Sequence, residues 1–136
     1  MNILVIDGQG GRLGCQMVRS IAEKYPGARL MAFGTNSAAA AAMAKAGAHQ
    51  AAAGENPLIV ACRKADIIIG PIGIVIADSL FGEITPAMAV AVAQSDAVRI
   101  LLPVNRCGNI VAGVQELSLT ALISDAMAKL EGVMQE

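Results

Sequence analysis

The stretch that decides the fold is Ile3-Leu4-Val5-Ile6-Asp7-Gly8-Gln9-Gly10-Gly11-Arg12-Leu13-Gly14. Its first four residues form an apolar run that is typical of a β-strand covered on both faces. The glycines that follow let the backbone turn tightly and approach a ligand closely. A helix that begins after such a loop directs unpaired N–H groups and a partial positive charge toward it, which favours a phosphate group. The stretch therefore predicts a Rossmann-like nucleotide-binding domain.

The segment from Gly8 to Gly14, which we call the glycine loop, departs from the dinucleotide-binding pattern at one position. That pattern places glycine at its first, third and sixth positions. Gly8 and Gly10 fit, but Leu13 occupies the sixth position and the last glycine follows it at Gly14. The loop also has no Gly-Lys-Ser/Thr ending, so the P-loop of an ATPase is not indicated. A glycine-rich turn without a ligand is the alternative interpretation.

Composition narrows the class of protein. A chain of 136 residues fits one domain. A net charge of -1 and an aromatic content of 2% argue against nucleic-acid binding. The longest apolar run, residues 67–77, is interrupted by glycine and proline and is too short to span a bilayer. Three cysteines without metal-ligand spacing, and no signal-peptide pattern, predict a cytoplasmic protein with reduced thiols and no metal.

Short apolar runs alternate with helical segments, a pattern that predicts βαβ units and a parallel sheet. We expect a single three-layer α/β/α domain over residues 1–136, doubly wound, with strand order 3-2-1-4-5. Residues 110–114 are a candidate sixth strand. The predicted strands are residues 3–6, 29–33, 49–52, 66–69 and 98–102. The predicted helices are residues 11–24, 38–46, 57–64, 86–93 and 119–133, with Pro57 opening the third.

The ends of the predicted strands supply the candidate binding residues, because ligands of open α/β sheets lie beyond the carboxyl ends of the strands. Thr35 and Asn36 follow the second strand, where an acidic residue would receive the ribose 2′-hydroxyl of NAD and an arginine would accommodate NADP. Neither is present, so the residues do not distinguish NAD and NADP, the favoured cofactors, from each other or from another nucleotide. Capping of the next helix is the competing role for both residues, and the expected role of Ser37. The full predicted set is Gly8, Gln9, Gly10, Gly11, Arg12, Leu13, Gly14, Thr35, Asn36, Gly70, Pro71, Ile72, Gly73, Asn105 and Arg106.

More than one role is possible for two regions of this set. The Gly70–Gly73 segment either forms a second wall of the crevice or is a plain turn. In the loop after the fifth strand, Arg106 could hold a phosphate or carboxylate. Cys107 beside it is a candidate nucleophile or else an inert thiol. Asp7, the other catalytic candidate, could cap loop N–H groups, hold a metal or act as a base. Its sequence context is similar to the acidic-glycine loop of methyltransferases that bind S-adenosylmethionine.

Two further segments point to assembly. Residues 74–82 form an apolar loop that suits a lid or an interface. Residues 87–93 are apolar on every face of the predicted helix, and such a helix is expected to be buried on all sides. A second subunit is therefore expected to cover part of it, and we predict a homo-oligomer.

The motifs together resemble a family of small bacterial proteins that is catalogued only as a domain of unknown function. The resemblance covers nearly the whole chain and implies a Rossmann-like fold, but it implies no activity. The motifs that carry it are residues 5–11, 34–36, 54–56, 66–74, 82–86 and 105–107.

Three functional hypotheses remain at this stage. The first is a sensing or regulatory module that binds a small-molecule nucleotide, NAD or NADP, at the glycine loop. The second is a small enzyme that uses Asp7 and the Asn105-Arg106-Cys107 loop on a phosphorylated or adenosyl-containing ligand. The third is a structural subunit of a homo-oligomer without a ligand.

Overall fold

The first strand, β1 (Asn2–Asp7), lies at the centre of the sheet and is almost completely buried. In the computed structural model, which describes residues 1–135, Ile3 and Val5 belong to one hydrophobic cluster. Leu4 and Ile6 belong to another cluster. Successive side chains of a strand point to opposite faces of its sheet. The continuous apolar run of β1 therefore supplies both cores of the molecule.

All five strands are parallel and follow the order β3-β2-β1-β4-β5, which confirms the predicted fold class and strand order. The point at which the chain reverses its direction of winding lies between β1 and β4. The other strands are β2 (Arg29–Gly34), β3 (Gln50–Ala53), β4 (Ile67–Pro71) and β5 (Val98–Leu102). The helices are α1 (Arg12–Lys24), α2 (Ser37–Ala46), α3 (Glu55–Lys64), α4 (Pro86–Gln94) and α5 (Leu119–Met134), with a short 3-10 helix at Ile72–Val75.

The helices divide between the two faces of the sheet as the winding requires. Met17 of α1, Met43 of α2 and Leu122 of α5 share the cluster that contains Val5. Leu58 of α3 and Met88 of α4 share the cluster that contains Ile6. Within residues 1–135, none of the helices combines the length and the apolarity that a bilayer crossing requires.

The predicted sixth strand is wrong. Residues 110–114 form neither strand nor helix, and Ile110 is 95% exposed. The β-branched residues of this segment favour an extended backbone. A strand, however, also needs a neighbour to pair with, and the described chain offers this segment none.

The single chain does not bury α4 on every face, and its predicted cover by a second subunit stays a prediction. Met88, Ala89 and Val92 are buried, whereas Val90 is 50% exposed. A helix that is apolar all round has no polar stripe to orient it, so the sequence could not indicate which side faces the sheet.

The starts of α1, α2 and α3 differ from expectation by one or two residues, and α2 begins at Ser37 instead of residue 38. α1 begins at Arg12, with Gly11 as its N-cap residue. α3 begins at Glu55, so Pro57 is its third residue and not its first. Proline is tolerated anywhere in the first turn, because the N–H that it lacks would have no helical partner there. The predicted end of α3 at Lys64 is confirmed.

We predict that Gly70→Ala destabilises the protein, because a Cβ at that position would lie 2.5 Å from the Ile6 carbonyl oxygen of the adjacent strand. Overpacking of this kind costs about 1–3 kcal/mol. The matched control is Gly132→Ala on α5, where a Cβ would meet no atom within 4 Å. Because alanine favours a helix, the control should gain about 0.5–1 kcal/mol. Urea unfolding followed by circular dichroism measures both variants, and equal stabilities would contradict the prediction.

Candidate functional site

The glycine loop lies at the carboxyl end of β1, and three of its glycines, Gly8, Gly11 and Gly14, are closely packed. A Cβ at Gly14 would lie 2.5 Å from the Met43 sulfur and 2.8 Å from the Asp7 Cβ. Gly11 has a φ of 74° and its Cβ would lie 3.1 Å from the Ala39 Cα. These glycines let α1 and α2 approach the strand closely, as in dinucleotide-binding folds.

Gly10 differs from them. It is exposed, its φ lies outside the left-handed region, and a Cβ there would meet nothing within 4 Å. The fold therefore gives no reason for glycine at this position.

The Asp7 carboxylate is held inside the loop and is only 5% exposed. Its Oδ1 accepts a hydrogen bond of 2.8 Å from the Gly8 N–H, and its Oδ2 accepts one of 2.7 Å from the Gly14 N–H. Burial raises the pKa of Asp7 above its ordinary value, and the nearby Glu83 carboxylate raises it further, while the N–H bonds act in the opposite direction. Of the three roles considered for Asp7, the structure gives it the capping of loop N–H groups.

A second carboxylate, that of Glu83, closes the loop from the other side. Its Oε1 accepts hydrogen bonds from the Gln9 N–H at 3.0 Å, from the Asn36 Nδ2 at 3.2 Å and from the Thr35 hydroxyl. Burial raises the pKa of Glu83, but these bonds outweigh it and the pKa is lowered overall. Sequence reasoning missed Glu83, whose only signal was its place in the 82–86 motif.

The two carboxylates change what the loop can bind. The N–H groups of Gly8, Gln9 and Gly14 already have acceptors, so the expectation of unpaired N–H groups is wrong at these positions. Within residues 1–135, the N–H groups of Gly10 and Arg12 have no hydrogen-bond acceptor. Both residues are exposed.

The residues after β2 connect this site to α2. Asn36 is the N-cap of α2, since its Oδ1 accepts a hydrogen bond of 2.8 Å from the Ala39 N–H. Its Nδ2 also donates to the Gln9 carbonyl at 2.9 Å. The expected capping role of Ser37 is wrong, because Ser37 is the first residue of the helix. Asn36 and Thr35 are therefore both brought to the glycine loop.

Glu83 is presented by a turn-rich segment, residues 76–85, which we call the covering loop. Two main-chain hydrogen bonds hold its ends together. The Asp78 N–H donates to the Ile84 carbonyl at 2.7 Å, and the Ile84 N–H donates to the Ser79 carbonyl at 3.2 Å. Leu80 is buried, and its Cδ1 lies 2.9 Å from where a Gly8 Cβ would be. The predicted lid segment thus lies on the glycine loop itself.

The remaining predicted site residues lie at the ends of β4 and β5. Gly70 and Pro71 end β4, and Ile72 and Gly73 begin the 3-10 helix, so this segment is not an open loop. A Cβ at Gly73 would lie 2.6 Å from the Asn105 carbonyl oxygen, so the ends of β4 and β5 pack together.

The charged side chain of the loop after β5, that of Arg106, contacts residues that are close to it in the sequence. The Arg106 Nε donates to the Pro103 carbonyl at 2.8 Å, and its guanidinium lies 3.5 Å from the Glu116 carboxylate. Cys107 is exposed. Within the described residues, no hydrogen bond joins this loop to the glycine loop.

We predict a pH-dependent contribution of Glu83 to stability. Because its folded pKa is lowered from 4.5, the ionised form stabilises the fold above pH 4.5, and this contribution is lost as the pH falls through the folded pKa. The wild type should therefore be more stable than Glu83→Gln at neutral pH, and the difference should shrink in acid. Thermal unfolding between pH 3 and pH 7 measures it. Glu23→Gln, at an exposed position, is the control, and a difference that does not change with pH would contradict the assignment.

Comparison with known proteins gives a family but no activity. A family model described as Domain of unknown function (DUF3842) matches residues 2–135. A search of curated proteins finds no match for the chain. The family match spans nearly the whole chain and agrees with the membership that the sequence motifs predicted. The chain therefore belongs to the family described as Domain of unknown function (DUF3842).

Proposed function

We propose that the protein is a binding module for a ribose-bearing nucleotide, NAD in preference to NADP, at the glycine loop and the end of β2. The observation that carries the proposal is the position of the Glu83 carboxylate beside Thr35 and Asn36. In dinucleotide-binding folds an acidic residue near the end of this strand accepts the ribose 2′-hydroxyl. Here the covering loop supplies that residue from the other side of the glycine loop. Its Oε2 accepts no hydrogen bond within residues 1–135 and is available to a ribose hydroxyl.

The exposed side of the glycine loop supports a role in phosphate binding. The N–H groups of Gly10 and Arg12 are free of protein acceptors within the described chain, and the Arg12 side chain is exposed. N–H groups at the start of a helix together with an arginine are suited to a pyrophosphate. The absence of a side chain at Gly10, which the fold does not require, would let the ligand approach the backbone.

Charge favours NAD over NADP. The lowered pKa of Glu83 keeps this carboxylate ionised at neutral pH. The 2′-phosphate of NADP would lie beside it, and two like charges at close range repel each other.

A second candidate ligand is an adenosyl compound without phosphate, such as S-adenosylmethionine. The observation that favours it is the pair of carboxylates, Asp7 and Glu83, which occupy three of the loop N–H groups. This arrangement repels phosphate and attracts a ligand with a positive charge. The ribose contact at Glu83 would be the same in both cases.

Binding without turnover accounts for the catalytic candidates better than catalysis does. Asp7 is 5% exposed and both of its oxygens accept main-chain hydrogen bonds, so its carboxyl group faces the backbone of the glycine loop and not an open substrate site. Cys107 lies on the loop after β5, which makes no hydrogen bond to the glycine loop within residues 1–135.

Titration calorimetry with NAD, NADP and S-adenosylmethionine tests the proposal. We expect NAD to bind more tightly than NADP. Glu83→Gln should weaken binding of NAD about ten- to a hundredfold, since hydrogen bonds to a charged group contribute about 1.5–3 kcal/mol. Gly10→Ala should also weaken the binding of NAD. The control is Gly27→Ala, which should leave NAD binding unchanged, because Gly27 is another exposed glycine where a Cβ would meet no atom within 4 Å. Tighter binding of S-adenosylmethionine would favour the second candidate, and no binding of any of the three at millimolar concentration would overturn both.

A further inference from the structure

The outer edge of β5 is open. β5 is the last strand of the sheet, so the N–H and C=O groups on its outer side have no strand partner within residues 1–135. A groove of about 380 Å³ runs along it. All of β5 lines this groove on one side. On the other side α5 contributes the apolar Leu122, Ala126 and Val133 and the ion pair of Asp125 and Lys129. A groove with apolar side chains along an unpaired strand has the shape and the hydrogen-bonding groups to receive a further strand.

The same chain carries a segment with strand-forming residues and no partner. Residues 109–114, Asn-Ile-Val-Ala-Gly-Val, contain three β-branched residues. In an extended conformation Ile110, Ala112 and Val114 would share one face, because side chains alternate along a strand. Ile110 is 95% exposed, although burial of a large aliphatic side chain away from water is favourable.

In the single chain this segment is a loop and not a strand beside β5. The Arg106 guanidinium lies 3.5 Å from the Glu116 carboxylate at the base of the loop, and the Asn109 N–H donates to the Arg106 carbonyl at 3.0 Å in a local turn. Most of residues 107–115 are exposed, so the segment is accessible to a neighbouring molecule.

We propose that residues 109–114 of one copy pair with the outer edge of β5 in a second copy, and that the exchange is reciprocal. The partner is a second copy of this chain because each copy offers both complementary parts, the unpaired edge and the unpaired segment. Such self-complementarity is the property of a two-fold symmetric interface. The pairing adds a sixth strand in each copy, buries Ile110 in the groove against α5, and covers the exposed edge of the sheet.

The test is the mass of the full-length chain in solution, measured by size-exclusion chromatography with light scattering at about 100 µM, a concentration at which weak dimers are populated. We expect twice the monomer mass of 13.9 kDa for the wild type. Ile110→Lys should give the monomer mass, because a charge would replace the side chain that enters the groove. Val90→Lys on the exposed face of α4 is the matched control and should remain dimeric. A monomeric wild type, a dimeric Ile110→Lys or a monomeric Val90→Lys would each overturn the proposal.

A cross-link distinguishes pairing between copies from pairing within one chain. In a Cys107→Ser background, Ile110→Cys and Val98→Cys are combined in one chain, since Val98 is an exposed residue of β5 that lines the groove on the same face of the strand as Ile100 and α5. Mild oxidation should give a disulfide-linked dimer in a non-reducing gel. A disulfide formed within a single chain, or no disulfide, would contradict the exchange. Circular dichroism of each variant verifies that it is folded.

Discussion

The hydrogen bonds of the buried Asp7 carboxyl group are the interaction on which the carboxyl edge of this sheet depends. Placing a carboxyl group where it is 5% exposed is unfavourable unless hydrogen bonds replace the water that it loses. Asp7 receives them from the Gly8 N–H, which belongs to the turn, and from the Gly14 N–H, which belongs to the first turn of α1. One side chain therefore fixes where β1 ends, how the glycine loop turns and how α1 begins. The Asp7 carbonyl also accepts a bond of 3.0 Å from the Thr35 N–H and so ties the end of β2 to the same point.

The same interaction determines how a ligand could be recognised. The positive end of a helix usually attracts an anion from outside the protein. Here Asp7 satisfies part of that end from within, and Glu83 satisfies the Gln9 N–H from the covering loop. The groups that remain for a ligand lie on the exposed side, at Gly10 and Arg12, and at the unbonded oxygen of Glu83. The proposed recognition therefore relies more on ribose hydroxyls and on charge than on a deep phosphate cradle.

The sequence predicted the strand order and the position of the glycine loop because both follow from local patterns. Apolar runs alternate with helices, and right-handed crossovers restrict how such units can be arranged. Glu83 could not be predicted in this way, because it lies 74 residues from Gln9 along the chain. A contact between two such distant residues produces no periodic pattern in the sequence. Likewise Asn36 and Ser37 are both good capping residues, and only the backbone geometry selects Asn36. Residues 110–114 show the same limit, since strand propensity describes one segment and pairing requires two.

The proposed ligand site and the proposed interface occupy different strands, which makes their physical effects separable. The ligand site is built on the ends of β1 and β2 with the covering loop, whereas the interface uses the outer edge of β5. β4 lies between them, and its end packs against Asn105 through the close approach at Gly73. A substitution at Ile110 therefore changes a side chain that makes no contact with the Glu83 cluster, and one at Glu83 leaves the groove along β5 intact. Assembly and ligand recognition can for this reason be assigned to independent parts of one small sheet.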